Sequence, residues 1–194
     1  MHPTAHPTRR PSPRSGRLRR SVGAALLAAG LVAAVAAPAA AHVTVKPDAA
    51  AKGSFSVFSF AVPNESDSAS TVKVEVTFPT DHPIAFVSVQ PVPGWTWSAE
   101  TTQLAKPMKT EDGEISQVVS KITWTGGSIA PGEFQLFTVS AGPLPTDAKS
   151  LEFKAVQTYS DGQITRWIEE TPKGGPEPEF PAPVLKLVGK AKAH

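Results

Sequence analysis

The chain has 194 residues and no cysteine, which excludes a disulfide framework and a thiolate metal site. Its formal net charge of +2 depends on six arginines within the first 20 residues, and without them 13 basic residues face 17 acidic ones, a net charge of −4. A mildly acidic protein of this kind is not expected to bind nucleic acid or an anionic membrane surface.

Residues 1–41 have the order of an export signal: a basic region, an apolar run from Val22 to Ala37, and the small residues Ala39-Ala40-Ala41. The apolar run is shorter than the about 20 residues that a membrane-spanning helix needs. We predict cleavage between Ala41 and His42, so that the mature protein is exported to the periplasm, the cell envelope or the medium. The pair Arg19-Arg20 leaves the Sec and twin-arginine routes both open. No span is predicted in the mature chain.

After His42 the sequence alternates apolar and polar residues with a period of two, which is typical of strands with one buried and one wet face. Val72, Val74, Val76 and Phe78 form one predicted buried face, and Phe58, Phe60 and Val62 form another. Further strands are predicted at Val43 to Lys46, Ala85 to Gln90, Thr96 to Thr101, Val118 to Thr125, Glu133 to Ala141, Leu151 to Tyr159, Ile164 to Glu169 and Val184 to Val188.

Glycine, proline and acidic residues mark the connections between these strands. Gly126-Gly127 and Asp161-Gly162 suit tight hairpin turns. The polar segment Ala105 to Gly113 is predicted to be a loop or a hairpin tip, and the proline-rich segment Pro172 to Pro183 an extended strap over the domain. The pattern predicts an all-β, two-sheet Greek-key sandwich at residues 42–188, between the removed leader 1–41 and a flexible tail 189–194.

A histidine at a free N-terminus carries two nitrogen donors, its α-amine and the ring Nδ1, which can chelate one metal ion. The α-amine has an ordinary pKa near 7.7–8.0, so a metal ion can displace its proton at neutral pH. Copper(II) has the highest affinity among the divalent ions for such ligands and accepts the geometry of the chelate. The lack of thiols, with Met108 as the one methionine after the leader, disfavours a copper(I) site. Composition alone, however, favours the interpretation that His42 is at this position by an accident of cleavage.

Several motifs in fixed order point to a known family. They are His42-Val43-Thr44-Val45-Lys46-Pro47, Val62-Pro63-Asn64-Glu65-Ser66, Gln90-Pro91-Val92-Pro93-Gly94-Trp95, Ile122-Thr123-Trp124-Thr125-Gly126-Gly127, and Gln157-Thr158-Tyr159-Ser160-Asp161-Gly162 followed by Arg166-Trp167-Ile168. In this order they closely resemble the YcnI family of bacterial copper-binding domains, over nearly the whole chain after the leader.

The resemblance implies a cupredoxin- or immunoglobulin-like sandwich that binds Cu(II) through a single-histidine brace. The implied ligands are the amine and ring of His42 and the carboxylate of Glu65, with Trp167 as an apolar wall or a contact to the ligands. An indole N–H has no lone pair for the metal. Without the family resemblance, Glu65 is interpreted as a solvent-exposed acid in a turn, and Asp67 is an alternative carboxylate ligand. Trp167 is then interpreted as an aromatic residue of the core.

The other histidines offer less. His82, in Thr80-Asp81-His82-Pro83, is predicted to be an exposed loop residue rather than a second copper ligand, and His194 ends the tail. The sequence has no Gly-x-Ser-x-Gly elbow and no glycine-rich phosphate loop. A catalytic site is therefore not predicted.

These observations predict a non-enzymatic Cu(II) chaperone or scavenger outside the cytoplasm, which exchanges copper with another copper-trafficking protein. One alternative is a copper monooxygenase acting on polysaccharide, which also begins with a processed histidine but requires a second histidine that only His82 could supply. The other is a metal-free interaction module of the cell envelope.

Overall fold

The computed structural model describes residues 42–111 and 113–190, so the predicted leader and the end of the predicted tail lie outside it. The described residues form strands β1 (Thr44–Lys46), β2 (Ala49–Lys52), β3 (Ser56–Pro63), β4 (Thr71–Thr77), β5 (Phe86–Val89), β6 (Thr96–Thr110), β7 (Gly113–Ile129), β8 (Phe134–Gly142), β9 (Ser150–Glu152), β10 (Lys154–Tyr159), β11 (Ile164–Trp167) and β12 (Val184–Lys190). Over these same ranges, no helix is long and apolar enough to cross a membrane.

The strands form two large sheets and one small sheet. The four-stranded sheet has the order β1-β3-β8-β5, and the five-stranded sheet has the order β11-β10-β4-β7-β6, with antiparallel pairing throughout both. The small sheet, β2-β12-β9, contains a parallel pair, β2 with β12. The predicted all-β sandwich is therefore confirmed, with a third sheet that was not predicted because the alanines of β2 show no alternation.

Aromatic side chains from both large sheets fill the space between them. The ring of Phe153 lies 5.1 Å from that of Phe60, 5.2 Å from that of Phe78 and 5.7 Å from that of Phe58, measured between centroids. At the other side of the core, the rings of Trp124 and Phe137 are 5.0 Å apart. The core is thus a single aromatic-rich layer shared by the two sheets.

Phe153 also corrects the predicted strand from Leu151 to Tyr159, which the structure divides into β9 and β10. Its backbone N–H donates to the carbonyl of Pro183, outside both strands. β9 pairs with β12 in the small sheet, whereas β10 pairs with β4 and β11 in the five-stranded sheet. The chain therefore changes sheets at this buried phenylalanine, and a continuous apolar pattern conceals the change.

The predicted inward faces of the two early strands are largely correct. Phe58, Phe60 and Val62 are all buried in β3. In β4, Val74 and Val76 are buried, but Val72 is only half-buried and Thr71 takes the inward position. The pairing of β4 with β7 shifts between Thr71 and Lys73, and a bulge of this kind reverses the face on which the preceding residues lie.

The segment from Ala105 to Gly113, predicted to be a loop or a hairpin tip, lies at the end of a hairpin, so the loop alternative is wrong. β6 continues to Thr110 and β7 begins at Gly113, and the two strands pair as one long hairpin. Most side chains of β6 are exposed along the whole strand, and those from Ala105 to Pro107 are all exposed. This part of the hairpin has no buried face, and the alternation used to predict strands is therefore absent.

The strap, defined here as Pro172–Pro183, begins and ends beside β11. The backbone N–H groups of Ile168 and Glu169 both donate to the carbonyl of Phe180, and that of Ala182 donates to the carbonyl of Glu169. The Glu169 carboxylate accepts a hydrogen bond from the N–H of Phe180 at 2.7 Å. These bonds close the base of the strap next to Trp167.

Candidate metal centre

His42 lies immediately before β1, with its imidazole in contact with two different parts of the fold. Its ring lies 5.7 Å from that of Trp167 between centroids, at an interplanar angle of 55°. Its Nδ1 lies 3.3 Å from Oε1 of Glu177 in the strap. The imidazole therefore has an apolar wall on one side and a carboxylate at the nitrogen that a chelate would use.

Trp167, the last residue of β11, forms that wall. It is 3% exposed and packs between His42 and Phe180, whose ring centroid lies 5.6 Å from that of Trp167. Its indole N–H donates to the side-chain carbonyl of Gln157 at 3.1 Å. The structure thus places Trp167 beside His42, with its only polar atom already bonded to another side chain.

Gln157 connects Trp167 to the chain segment that precedes Glu65. It lies on β10 and is 1% exposed. Its amide nitrogen donates to the carbonyl of Pro63 at 2.8 Å and to the hydroxyl of Thr71 at 2.6 Å. Because each amide hydrogen and the amide oxygen has a partner inside the core, the side chain fixes the relative position of β3, β4 and β11.

The turn that carries Glu65 is held by the buried side chain of Asn64. Its amide nitrogen donates to the carbonyls of Ala69 and Ile129, each at 2.8 Å, and its amide oxygen accepts from the N–H of Ser66 at 2.9 Å. This arrangement holds both ends of the loop that follows β3. The position of the Glu65 backbone is therefore set by its buried neighbour.

Glu65 lines two adjoining surface depressions at the candidate site. One, of about 430 Å³, is shared with His42, and the other, of about 220 Å³, is shared with Trp167 and Tyr159. Burial raises the pKa of Tyr159, a hydrogen bond with Thr165 opposes the rise, and the charge of Glu65 adds to it. The described lining of both depressions includes Glu65 and omits Asp67, its rival carboxylate.

His82 belongs to a different part of the surface. Its Nδ1 lies 3.5 Å from a carboxylate oxygen of Asp147, and it lines a cavity of about 500 Å³ with Glu152 and Glu170 but without His42. Burial, followed by the charge of Glu170, raises the pKa of Glu152 in this cavity. The structure does not bring His82 to His42, and His194 lies outside the described residues.

Side chains alone do not complete a metal site here. Across residues 42–111 and 113–190, no group of three or more His, Cys, Asp or Glu side chains is arranged to hold a metal ion. A site at His42 therefore needs its backbone nitrogen as a donor, which requires cleavage at the predicted bond. A free α-amine at His42 would add a second nitrogen donor beside Nδ1 and a carboxylate oxygen, and a donor set of this kind suits copper(II).

Sequence reasoning gave no role to three residues of this region. Asn64 and Gln157 lie within the quoted motifs, and the sequence signal that could have identified them is an amide residue in or directly after an apolar strand pattern. Glu177 lies in a strap without periodicity, so nothing in the local pattern indicated its contact with His42.

Comparisons with known proteins agree with this architecture. The family described as "Domain of unknown function (DUF1775)" matches residues 42–187. The copper-binding protein CutI of Bacillus subtilis is 37% identical over 133 residues, which are 68% of this chain and 57% of that relative. The chain thus spans little more than half of that relative's length.

A solved structure is also similar to this chain. It is an uncharacterized protein from Nocardia farcinica with an immunoglobulin-like fold, 38% identical, with a TM-score of 0.60 over 75% of this chain and 97% of that chain. The immunoglobulin-like part of the fold prediction is therefore confirmed.

Proposed function

Because the chain belongs to the DUF1775 family, the YcnI-like family that its motifs resemble, we propose that it is an exported Cu(II)-binding protein without catalytic activity. The observation that carries the proposal is the packing of the His42 ring on Trp167, with the Glu177 carboxylate at its Nδ1, at the predicted first residue of the mature chain. The relative from Bacillus subtilis is named a copper-binding protein, which supports copper as the metal.

In this proposal the ion is held by the α-amine and Nδ1 of His42 and by the carboxylate of Glu65. The carboxylate offsets part of the charge of the ion and completes a nitrogen and oxygen donor set. Trp167 fixes the orientation of the imidazole through packing, while Gln157 holds the indole. The site is at the surface, where copper can pass to another copper-trafficking protein, so a chaperone or scavenger role follows.

The separation of His82 from His42 favours a binding protein over a copper monooxygenase. That enzyme needs a second histidine on the metal, and His82 lines a cavity of its own with acidic neighbours. The export signal at residues 1–41 is the basis for placing the protein outside the cytoplasm.

The decisive test compares the processed protein, which begins with His42, with a version that has one additional residue before His42. The additional residue converts the α-amine of His42 into a peptide amide, so the Cu(II) affinity should fall at least about 100-fold. Changing a residue that only supports a metal ligand costs about 10–100-fold in affinity, and losing a ligand costs more. Affinity is measured by competition titration, and the visible and paramagnetic-resonance spectra of bound copper should change with it.

Two substitutions sharpen this test. Glu65→Gln should weaken binding, whereas His82→Ala should leave it unchanged as the matched control. Equal affinity and identical copper spectra with and without the extra residue would contradict the brace. An absence of Cu(II) binding in all forms would instead favour the metal-free envelope module.

A further inference from the structure

A carboxylate of the strap contacts the His42 ring. Oε1 of Glu177 lies 3.3 Å from Nδ1, the ring nitrogen that a chelate with the α-amine would use. When a nitrogen and an oxygen atom bind the same divalent ion as adjacent ligands, each at about 2.0–2.2 Å, the two atoms lie about 3 Å from each other. The separation of these two atoms therefore suits a shared metal ion.

Glu177 and Glu65 approach His42 through different surface depressions. Glu65 shares one of about 430 Å³ with His42, and Glu177 shares another of about 460 Å³ with it. The strap depression is lined by Val43 and Pro181 as well. Carboxylates on both sides of His42 would neutralise the charge of a divalent cation more completely than Glu65 alone.

The base of the strap keeps Glu177 within reach while leaving its side chain free to adjust. Phe180 packs on Trp167, and its N–H donates to Glu169 at 2.7 Å. The Glu177 side chain itself is 64% exposed, whereas that of His42 is 21% exposed. An exposed pair of this kind adds little to folding stability, so a metal ion can replace this contact at little cost to the fold.

We propose that Glu177 is a second carboxylate ligand of the metal site, carried by the strap, so that the bound ion joins the strap to the N-terminus of the mature chain. This inference rests on the proposed Cu(II) function. It adds a ligand distant in sequence from both His42 and Glu65, and it makes the strap part of the site. Binding then orders the strap, and release of the ion requires the strap to open.

The test uses Glu177→Gln in the processed protein, with Glu179→Gln as the matched control, since Glu179 is an exposed acid of the same strap. Glu177→Gln should lower the Cu(II) affinity about tenfold and speed copper dissociation, as measured by competition titration and stopped-flow transfer to a chelator. Glu179→Gln should match the wild type in both measurements.

Limited trypsin digestion gives a readout apart from affinity, because Lys173 is an exposed cleavage site within the strap. Cu(II) should slow cleavage after Lys173 in the wild type and in Glu179→Gln but not in Glu177→Gln. Unchanged affinity, or copper protection that persists without the Glu177 carboxylate, would overturn the proposal. So would tighter binding by Glu177→Gln, which would show that this carboxylate competes with the metal for Nδ1.

The two hypotheses fail in distinguishable ways. If the wild type binds copper through His42 and Glu177→Gln behaves like it, only the role of Glu177 is wrong. If the wild type binds no copper, the proposed function is wrong, and the role of Glu177 is wrong with it.

Discussion

Gln157 connects the buried core to the candidate metal centre through a single side chain. It accepts a hydrogen bond from the indole of Trp167 and donates to the carbonyl of Pro63 and the hydroxyl of Thr71. A side chain of this polarity is buried at a cost unless all its groups are paired. Its environment therefore indicates that the positions of Trp167 and of the turn after Pro63 depend on it.

We predict that Gln157→Leu lowers the free energy of unfolding by at least about 2 kcal/mol, because several buried groups lose their partners at about 1–3 kcal/mol each. Urea unfolding measures the change. Gln117→Leu, at an exposed site in the outer hairpin, should stay within about 0.5 kcal/mol of the wild type. Equal effects of the two substitutions would show that the buried network contributes nothing specific.

The hairpin formed by β6 and β7 contains two different kinds of strand. On β7, Trp124 is buried against Phe137, whereas most side chains of β6 are exposed along the whole strand. Gly126 and Gly127 lie within β7, so the predicted hairpin turn at these residues is wrong, and Gly127 lies directly under the ring of Trp95. A Cβ atom at Gly127 would lie 2.2 Å from this ring, so the absence of a side chain allows the two segments to pack.

Gly127→Ala should therefore destabilise the fold by about 1–3 kcal/mol, the usual cost of forcing an extra carbon into a packed site. Thermal unfolding measures the loss, and near-ultraviolet circular dichroism should show a changed environment of Trp95. Gly189→Ala in β12 is the matched control, because a Cβ there meets no atom within 4 Å. A loss of the same size at both glycines would contradict the packing explanation.

At the scale of the whole molecule, two titrations act on folding stability in the same direction at alkaline pH. Tyr159 is the single tyrosine of the chain, and burial raises its pKa above the ordinary value of 10.0. A hydrogen bond with Glu100 raises the pKa of Lys121 above 10.5, against a smaller opposing effect of desolvation. Both groups hold their proton more tightly when folded than when unfolded.

The sign follows from linkage: this stability is fully present below the unfolded pKa values and is lost as the pH rises through the folded ones. We predict that the free energy of unfolding decreases between about pH 9 and about pH 11.5, on the basis of these ordinary pKa values. Tyrosinate absorbance should show a midpoint for Tyr159 above that of the denatured chain. Tyr159→Phe should reduce the alkaline loss, and a tyrosinate midpoint at or below the denatured value would contradict the effect of burial.

Local patterns determined most of the strands. Alternation identified β3 and β4, whose inward residues Phe60 and Val76 are buried, because a strand with one wet face must place its apolar residues on the other. The all-β class and the family are therefore readable from residues close together in the chain. The place of His42 at the start of the mature chain remains a prediction from the leader, as does Cu(II) as its ligand.

Only the tertiary structure brought distant residues together. The bulge that turns Thr71 inward, the change of sheet at Phe153 and the contact between Glu177 and His42 leave no local signal. The bulge and the change of sheet depend on how the strands pair, and the contact depends on where the strap packs against the N-terminal residues. All three are set by packing between segments far apart in sequence. The sequence by itself determined most of the strands and identified His42 and Trp167 as candidate site residues, while packing between distant segments decided that their rings lie 5.7 Å apart.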